Sequence, residues 1–332
     1  MEIDTFDFIL PTELIAQKKA AQSKLLVYNR ATKEMDITDF NEIKSLIHAN
    51  DCLILNNTRV IPSRLYATKS TGGKVEVFVE KILNDSEAIV LTQSNHRLTI
   101  PTSLSLSSGG SVEITGNITG LQKKAVFNID EPLDQYLMNH GATPLPHYIK
   151  PDDRRIQDEY QTCYAKVDGS IAAPTAGLHF TTRLLGDLPC PIDYVTLHVG
   201  LGTFLPVKTQ HIEDHVMHAE SYTLDTNTVE LIQQTRKQNG RVIAVGTTSI
   251  RTLEDAWQQQ PIAGKRSTDI FIYPGYQWQI VDGFITNFHL PKSTLFMLVC
   301  AAIGQEAAHA CYAYAIKHKM RFYSYGDAML VI

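Results

Sequence analysis

Two textures of hydrophobic and polar positions divide this chain. In the first, short apolar runs form the body of Leu25–Tyr28, Cys52–Leu55 and Arg241–Val245. Such runs fit strands buried on both faces, as in a sheet covered by helices. Helix-forming stretches lie around them. Pro11–Gln22 has Pro at its start, a helix begins near Ile250, and Leu295–Ile303 follows Ser293 and Thr294, either of which can cap it. In the second texture, from about Ser63 to Asp130, positions alternate with period two. Lys74–Glu80 is the clearest case, and Ala88–Leu91, Ser111–Ile114 and Ala125–Ile129 follow, separated by Gly72-Gly73, Asn84-Asp85, Gly109-Gly110 and Gly116-Asn117. Short strands at this spacing predict a small antiparallel barrel or sandwich. Asp134–His140 then reads as a short helix, and the first texture resumes, so the antiparallel part is an insertion.

Composition narrows the class. The chain has 332 residues, 44% hydrophobic and 20% charged. That suits a globular protein with ample core, and no run approaches the ~18 apolar residues of a membrane span. The N-terminus is acidic and lacks the basic-then-apolar order of a signal peptide, so a cytoplasmic protein is expected. Five cysteines, at 52, 163, 190, 300 and 311, include no C-x-x-C pair and fit reduced thiols. The net charge of −5 excludes a polycation. Any RNA contact needs a local basic face, and Tyr148, Lys150, Arg154 and Arg155, with Tyr160, Tyr164 and Lys166 beyond, interleave rings with cations in the required way. The same mixture describes many solvated surfaces.

Chemistry concentrates where strands end. Gly169–Thr181 is a run of small residues that reaches one ionisable side chain, His179. Val195–Phe204 places His198 before Gly200 and Gly202, and Gly283–Thr294 carries His289. Three strand ends that each offer a histidine beside a small-residue or Pro-containing turn suggest one shared cleft. Asn56, Thr58 and Arg59 form a polar turn after a strand, where ligand loops sit, although Asn and Thr also cap turns by themselves. Gly246–Ser249 opens a helix with Arg251 in its first turn. The unpaired amides there suit a carboxylate or phosphate, and an N-cap by Thr247 or Thr248 is compatible with that role. On a helix, His211, His215 and His218 would share one face, yet the H-E-x-x-H order is missing.

Longer blocks carry a resemblance. Ala172–Phe180, Thr196–Phe204, His215–Glu220, Val245–Arg251 and Ile285–Thr294, framed by Phe6–Pro11 and Phe322–Leu330, make the chain similar to the S-adenosylmethionine:tRNA ribosyltransferase-isomerase family of queuosine biosynthesis. The resemblance implies an α/β main domain, a mixed sheet with flanking helices, from residues 1–62 and 148–332, with a small antiparallel β-barrel domain inserted at 63–147. It implies a reaction in which the ribosyl part of S-adenosylmethionine moves onto the 7-aminomethyl-7-deazaguanine base at the tRNA wobble position. Epoxyqueuosine-tRNA forms, and adenine and methionine leave. S-adenosylmethionine is then a co-substrate, with no cofactor and no metal. A monomer is expected.

That chemistry needs a base at the ribose 5′ carbon and an acid for departing adenine. Histidine titrates near neutrality, so His179, His198, His215, His218 and His289 are the catalytic candidates, with His179 or His198 as base. Glu220 orients a histidine or meets the sulfonium. Asp282 and Asn287 are candidates for adenosine. Arg251 with the amides at Gly246, Thr247 and Thr248 is the candidate for the methionine carboxylate. Asn56, Thr58, Arg59, Thr175, Gly177, Gly200, Gly202, Thr203 and Lys292 complete the substrate set. Tyr148, Lys150, Arg154 and Arg155 are the tRNA candidates, although Pro151-Asp-Asp departs from the family pattern beside them. Three rivals stand: an RNA methyltransferase, a metal-dependent hydrolase using His211, His215 and His218, and an RNA-binding module without catalysis.

Overall fold

The computed structural model describes residues 1–118, 121–144, 159–200, 207 and 209–332. The chain divides into two compact units. One consists of Met1–Arg59, the described part of His147–Val167, and Ala173–Ile332; the other consists of the described part of Val60–Pro146 together with Asp168–Ala172.

The larger unit is built on a nine-stranded mixed sheet. Its strands are β1 (Lys24–Tyr28), β2 (Met35–Asp39), β3 (Cys52–Asn56), β12 (Ile192–Leu197), β13 (Glu220–Leu224), β14 (Val242–Val245), β15 (Gly264–Thr268), β16 (Gly283–Asn287) and β17 (Ala328–Val331). Their order is β15-β13-β12-β3-β14-β16-β17-β1-β2. The four central strands β12, β3, β14 and β16 are mutually parallel. β3, β14, β16 and β17 are buried at every position, which is why their sequences do not alternate. Leu53, Leu55, Ile243, Val245, Ile285 and Leu330 pack with Phe40, Ile43, Phe180 and Leu184 in one core. Each such Leu, Ile or Phe contributes about 1.5–3 kcal/mol on burial. Helices Thr226–Lys237 and Thr247–Ala256 pack on β3, β12 and β14. Helices Thr294–Ile303 and Gln305–Lys317 follow β16, the first capped by the Ser293 hydroxyl, which accepts from the Phe296 amide at 3.2 Å.

Two helix expectations in this unit give way. Pro11–Gln22 forms only a 3₁₀ turn, Thr12–Leu14, because the chain beyond it is held extended against Phe322: the Ala16 amide donates to Phe322 O and the Phe322 amide to Leu14 O. His211–Glu220 holds a 3₁₀ turn at Ile212–Asp214 and then continues without regular structure to β13. His211, His215 and His218 therefore share no helical face.

The smaller unit holds a closed antiparallel barrel of β5 (Arg64–Lys69), β6 (Lys74–Ile82), β7 (Glu87–Ser94), β8 (Thr102–Leu106), β9 (Ser111–Asn117) and β10 (Lys123–Asn128), in the order β10-β7-β6-β5-β8-β9. Alternation decides its inside. Leu65, Ala67, Val75, Val77, Val79, Val90, Val112, Ile114, Ala125 and Phe127 fill it, and helix Leu133–His140 adds Leu133, Tyr136 and Leu137 to the same core. A barrel this small is packed solid and has no lumen. The remaining strands, β4 (Thr58–Val60) and β11 (Val167–Ser170), form a short separate ribbon.

Candidate functional site

Because β12, β3, β14 and β16 are parallel, their carboxyl ends lie on one edge of the sheet, the usual place for a ligand in an open α/β sheet. The antiparallel neighbours bring further groups there. Glu220 begins β13 and Asp327 precedes β17, so both start at the edge where the parallel strands stop.

Asn56, the last residue of β3, ties this edge together. Its Nδ2 donates to Leu197 O at 3.0 Å and to Thr248 Oγ1 at 3.1 Å, while its Oδ1 accepts from the amides of Leu197 and Thr58. Both amide protons and two acceptor positions are used, which makes Asn56 a positioning residue where a substrate contact was expected. Thr58 likewise meets a protein group: its Oγ1 lies 2.8 Å from His198 Nδ1 and fixes the ring just past β12.

Helix Thr247–Ala256 starts at this edge from Gly246, whose φ of +84° only glycine adopts without strain. The expected threonine cap is absent, because Gly246, which has no side chain, occupies the N-cap while Thr247 and Thr248 lie within the first turn, where Thr248 Oγ1 accepts from Asn56. Among the described residues the N-cap supplies no side-chain acceptor to the first-turn amides. One turn on, Arg251 is 5% exposed. Its Nη1 pairs with Glu220 Oε2 and its Nε donates to Ile270 O at 3.1 Å. Its Nη2 is buried without an acceptor among the described residues, at a cost of about 1–3 kcal/mol. Glu220, 6% exposed, also accepts from the Gly200 amide at 2.9 Å. The carboxylate therefore bridges the turn after β12 and the buried guanidinium.

A second chain of hydrogen bonds runs from the 3₁₀ turn Thr175–His179. Thr175 Oγ1 donates to Asn287 Oδ1 at 2.9 Å, which leaves Asn287 Nδ2 to donate to His179 Nε2 at 3.1 Å. His179 thus keeps a lone pair at Nε2 and carries its proton on Nδ1. Its ring lies 4.9 Å from that of Phe40. Burial depresses its pKa to about 4; Lys19 and Arg321 push the same way, against Asp327. The imidazole is neutral at pH 7. Gly177 is required by contact, since a Cβ there would stand 1.9 Å from Tyr164 Oη.

Other predicted residues have partners of their own. His289 is buried, with Nε2 2.8 Å from Thr286 Oγ1 and its amide donating to Tyr312 Oη, and burial lowers its pKa to about 3. Lys292 is held by Asp4 and Asp7 at 2.7 and 3.1 Å. Arg59 donates to Ala165 O. Asp282 stands at the opposite end of β16 from Asn287, where it accepts from Arg236 and from the Val242 amide. His211 pairs with Glu2, and His218 is exposed. His215 is partly buried, and burial and His218 lower its pKa. Among the described residues no group of three His, Cys, Asp or Glu side chains is placed to hold a metal. Gly202, Thr203, Tyr148, Lys150, Arg154 and Arg155 lie outside the described residues.

Sequence reading missed Phe40, the wall of His179, and Asp327, which accepts from the Lys24 and Arg321 amides and from Arg321 Nη2. Neither stands beside a recognisable motif histidine in the chain. Taken together, among the described residues the edge offers helix amides without a side-chain cap, one guanidinium N–H without an acceptor, a buried carboxylate and two oriented imidazoles. Such a set can bind an anionic group and move protons beside it.

The family described as queuosine biosynthesis protein matches residues 3–331. A protein of Vesicomyosocius okutanii named S-adenosylmethionine:tRNA ribosyltransferase-isomerase is 45% identical over 340 residues, covering 100% of this chain and 98% of its own. One of the same name from Halothermothrix orenii is 43% identical with both chains fully covered. The crystal structure of S-adenosylmethionine tRNA ribosyltransferase from Thermotoga maritima matches at a TM-score of 0.56 and 32% identity, over 99% of this chain and 100% of that one. No single helix among the described residues is long and apolar enough to cross a membrane.

Proposed function

The chain belongs to the queuosine biosynthesis family of S-adenosylmethionine:tRNA ribosyltransferase-isomerases, and from that premise we propose that it moves the ribosyl part of S-adenosylmethionine onto 7-aminomethyl-7-deazaguanine at the tRNA wobble position. Epoxyqueuosine-tRNA is the product, and adenine and methionine are released. The protein acts as a cytoplasmic monomer without a cofactor.

One observation carries this reading: among the described residues, a helix start without a side-chain cap lies one turn from a buried arginine with an N–H that has no acceptor. The methionine carboxylate fits both. It would accept from the amides at Thr247 and Thr248 and from Arg251 Nη2 and relieve the buried donor. Glu220 holds that guanidinium in place from its other side, and its negative charge lies where the sulfonium would be favoured.

The sulfonium acidifies the ribose 5′ carbon, and His198 is the base for its proton. In that role Nδ1–H donates to Thr58 Oγ1, which leaves the lone pair on Nε2. His179 serves differently. It is neutral, its Nε2 is occupied by Asn287, and it offers Nδ1–H as a donor to the nucleoside. Thr175 and Asn287 fix that direction.

Product analysis tests the reading. The protein is incubated with S-adenosylmethionine and tRNA carrying the aminomethyl-deazaguanine base, with unmodified tRNA as control. Adenine and methionine appear only with the modified tRNA. S-adenosylhomocysteine would instead mean methyl transfer, and neither product from folded protein would overturn the enzyme reading.

A further inference from the structure

The segment that follows β15 carries rings the fold does not bury. Ile272 is 2% exposed, whereas its neighbours Phe271 and Tyr273 are each only partly covered. Their ring centroids lie 4.9 Å apart at 54°. His215 closes the row, 5.5 Å from Phe271 and nearly edge-on at 75°. Next to it Val216 is 83% exposed. A partly exposed row of rings with an apolar neighbour costs solvation and contributes little to the core, so an occupant that covers it is favoured.

Its location gives the occupant its chemistry. The carbonyl that Arg251 Nε binds belongs to Ile270, the residue immediately before Phe271. At the start of β13, Glu220 pairs in register with Thr268 of β15. The rings therefore adjoin the Arg251–Glu220 pair, where an unsatisfied Nη2 already points to a ligand. A flat heteroaromatic ring stacks on such a surface with a strength every purine shares.

The geometry points to Phe271 and Tyr273, flanked by His215, as the stacking wall for a purine-type ring of the substrates. This rests on the ribosyl-transfer reading, which brings two such rings together: the adenine of S-adenosylmethionine and the 7-deazaguanine of the tRNA. The wall takes one of them while Arg251 holds the carboxylate end.

Steady-state kinetics of Phe271→Leu and Tyr273→Leu test the assignment, because leucine keeps apolar bulk and removes the ring. Phe271→Trp serves as the conservative variant. Phe271→Leu raises the KM of one substrate about tenfold, with kcat much less affected, and Phe271→Trp restores it. A rise confined to S-adenosylmethionine, matched by weaker binding in equilibrium dialysis, identifies adenine as the ring. A rise confined to the modified tRNA, matched in filter binding, identifies the deazaguanine. Wild-type KM values for both substrates in both leucine variants, with unchanged thermal midpoints, would overturn the wall. Failure of the wild-type protein to release adenine would instead overturn the reading beneath it.

Discussion

The two ends of the central sheet treat buried polar groups in opposite ways. At the amino ends of β3 and β14, Asp51 is 1% exposed and fully engaged: it accepts from the Arg241 backbone amide, from Arg241 Nε and Nη2, and from the His48 amide. Asp282, at the start of β16, is closed in the same manner by Arg236 and the Val242 amide. These carboxylates lock the register of neighbouring strands. At the carboxyl ends, among the described residues, Arg251 keeps an N–H without an acceptor, the helix start has no side-chain cap, and His179 sits neutral against Phe40. The first edge spends its charges on stability; the second keeps capacity for something not part of the chain. Among the described residues Arg251 Nη2 is a buried guanidinium N–H without an acceptor, and it stands beside Glu220 at the edge where the parallel strands end, which marks that edge as the working one.

This contrast predicts that variants at the two edges fail in different assays. The largest effect is expected from His198→Ala, which loses about 10²–10⁴-fold in kcat with an unchanged urea midpoint. Lost stability with retained turnover would reverse the assignment. Next comes Arg241→Ala, which strands the Asp51 carboxylate and costs about 3 kcal/mol in urea unfolding, while turnover per folded molecule stays at the wild-type value. Reduced kcat in fully folded R241A protein would erase the distinction between the edges.

Thr58→Val sharpens the comparison within the working edge. It removes the hydroxyl that orients His198 and should lower kcat about tenfold and displace the pH–rate profile, with Thr58→Ser close to wild type. A profile that coincides with the wild type's would assign Thr58 to packing alone.

Acid should loosen the two edges in sequence. His179 and His289 have folded pKa values of about 4 and about 3, below the ordinary 6.5. The unfolded chain therefore takes up their protons first, and the stability they contribute is complete above 6.5 and declines as pH falls toward the folded values. Asp51 behaves differently: burial would raise its pKa, but Arg241 and the two amides outweigh it and hold the value below the ordinary 3.8. Its contribution is lost only as pH falls below that. Hydrogen exchange at pH 5 should accelerate at Asn287–Leu290 before it does at Cys52–Leu53, and simultaneous loss of protection would contradict the scheme. The smallest effect belongs to Asp282→Asn, about 1 kcal/mol of stability with the KM for S-adenosylmethionine unchanged. A raised KM would return Asp282 to the adenosine site.

Much of this was legible in the chain. Uninterrupted apolar runs became strands buried on both faces, and the alternation in Lys74–Glu80 became one wall of a closed barrel. Ser293 caps the helix it precedes. The failures have physical causes. Pro11–Gln22 has helix-forming residues, but its backbone groups are claimed by Phe322, some three hundred positions away. The histidines of His211–Glu220 have helical spacing, yet the segment passes from a 3₁₀ turn to β13, which pairs with β12 and β15. Phe271 and Tyr273 carry no motif, and only the arginine that binds the carbonyl before them draws attention to them.

The amino-acid sequence by itself determined which segments are buried, which alternate, and which residue types can act as bases and anion donors. The periodicity of burial is a local property, and side-chain chemistry travels with the residue. Tertiary structure alone decided which groups meet. Thr58 reaches His198 across 140 positions and Asn287 reaches His179 across 108. Those pairings follow from parallel strands that end on a common edge, and strand order is set by packing among distant segments that no local pattern records.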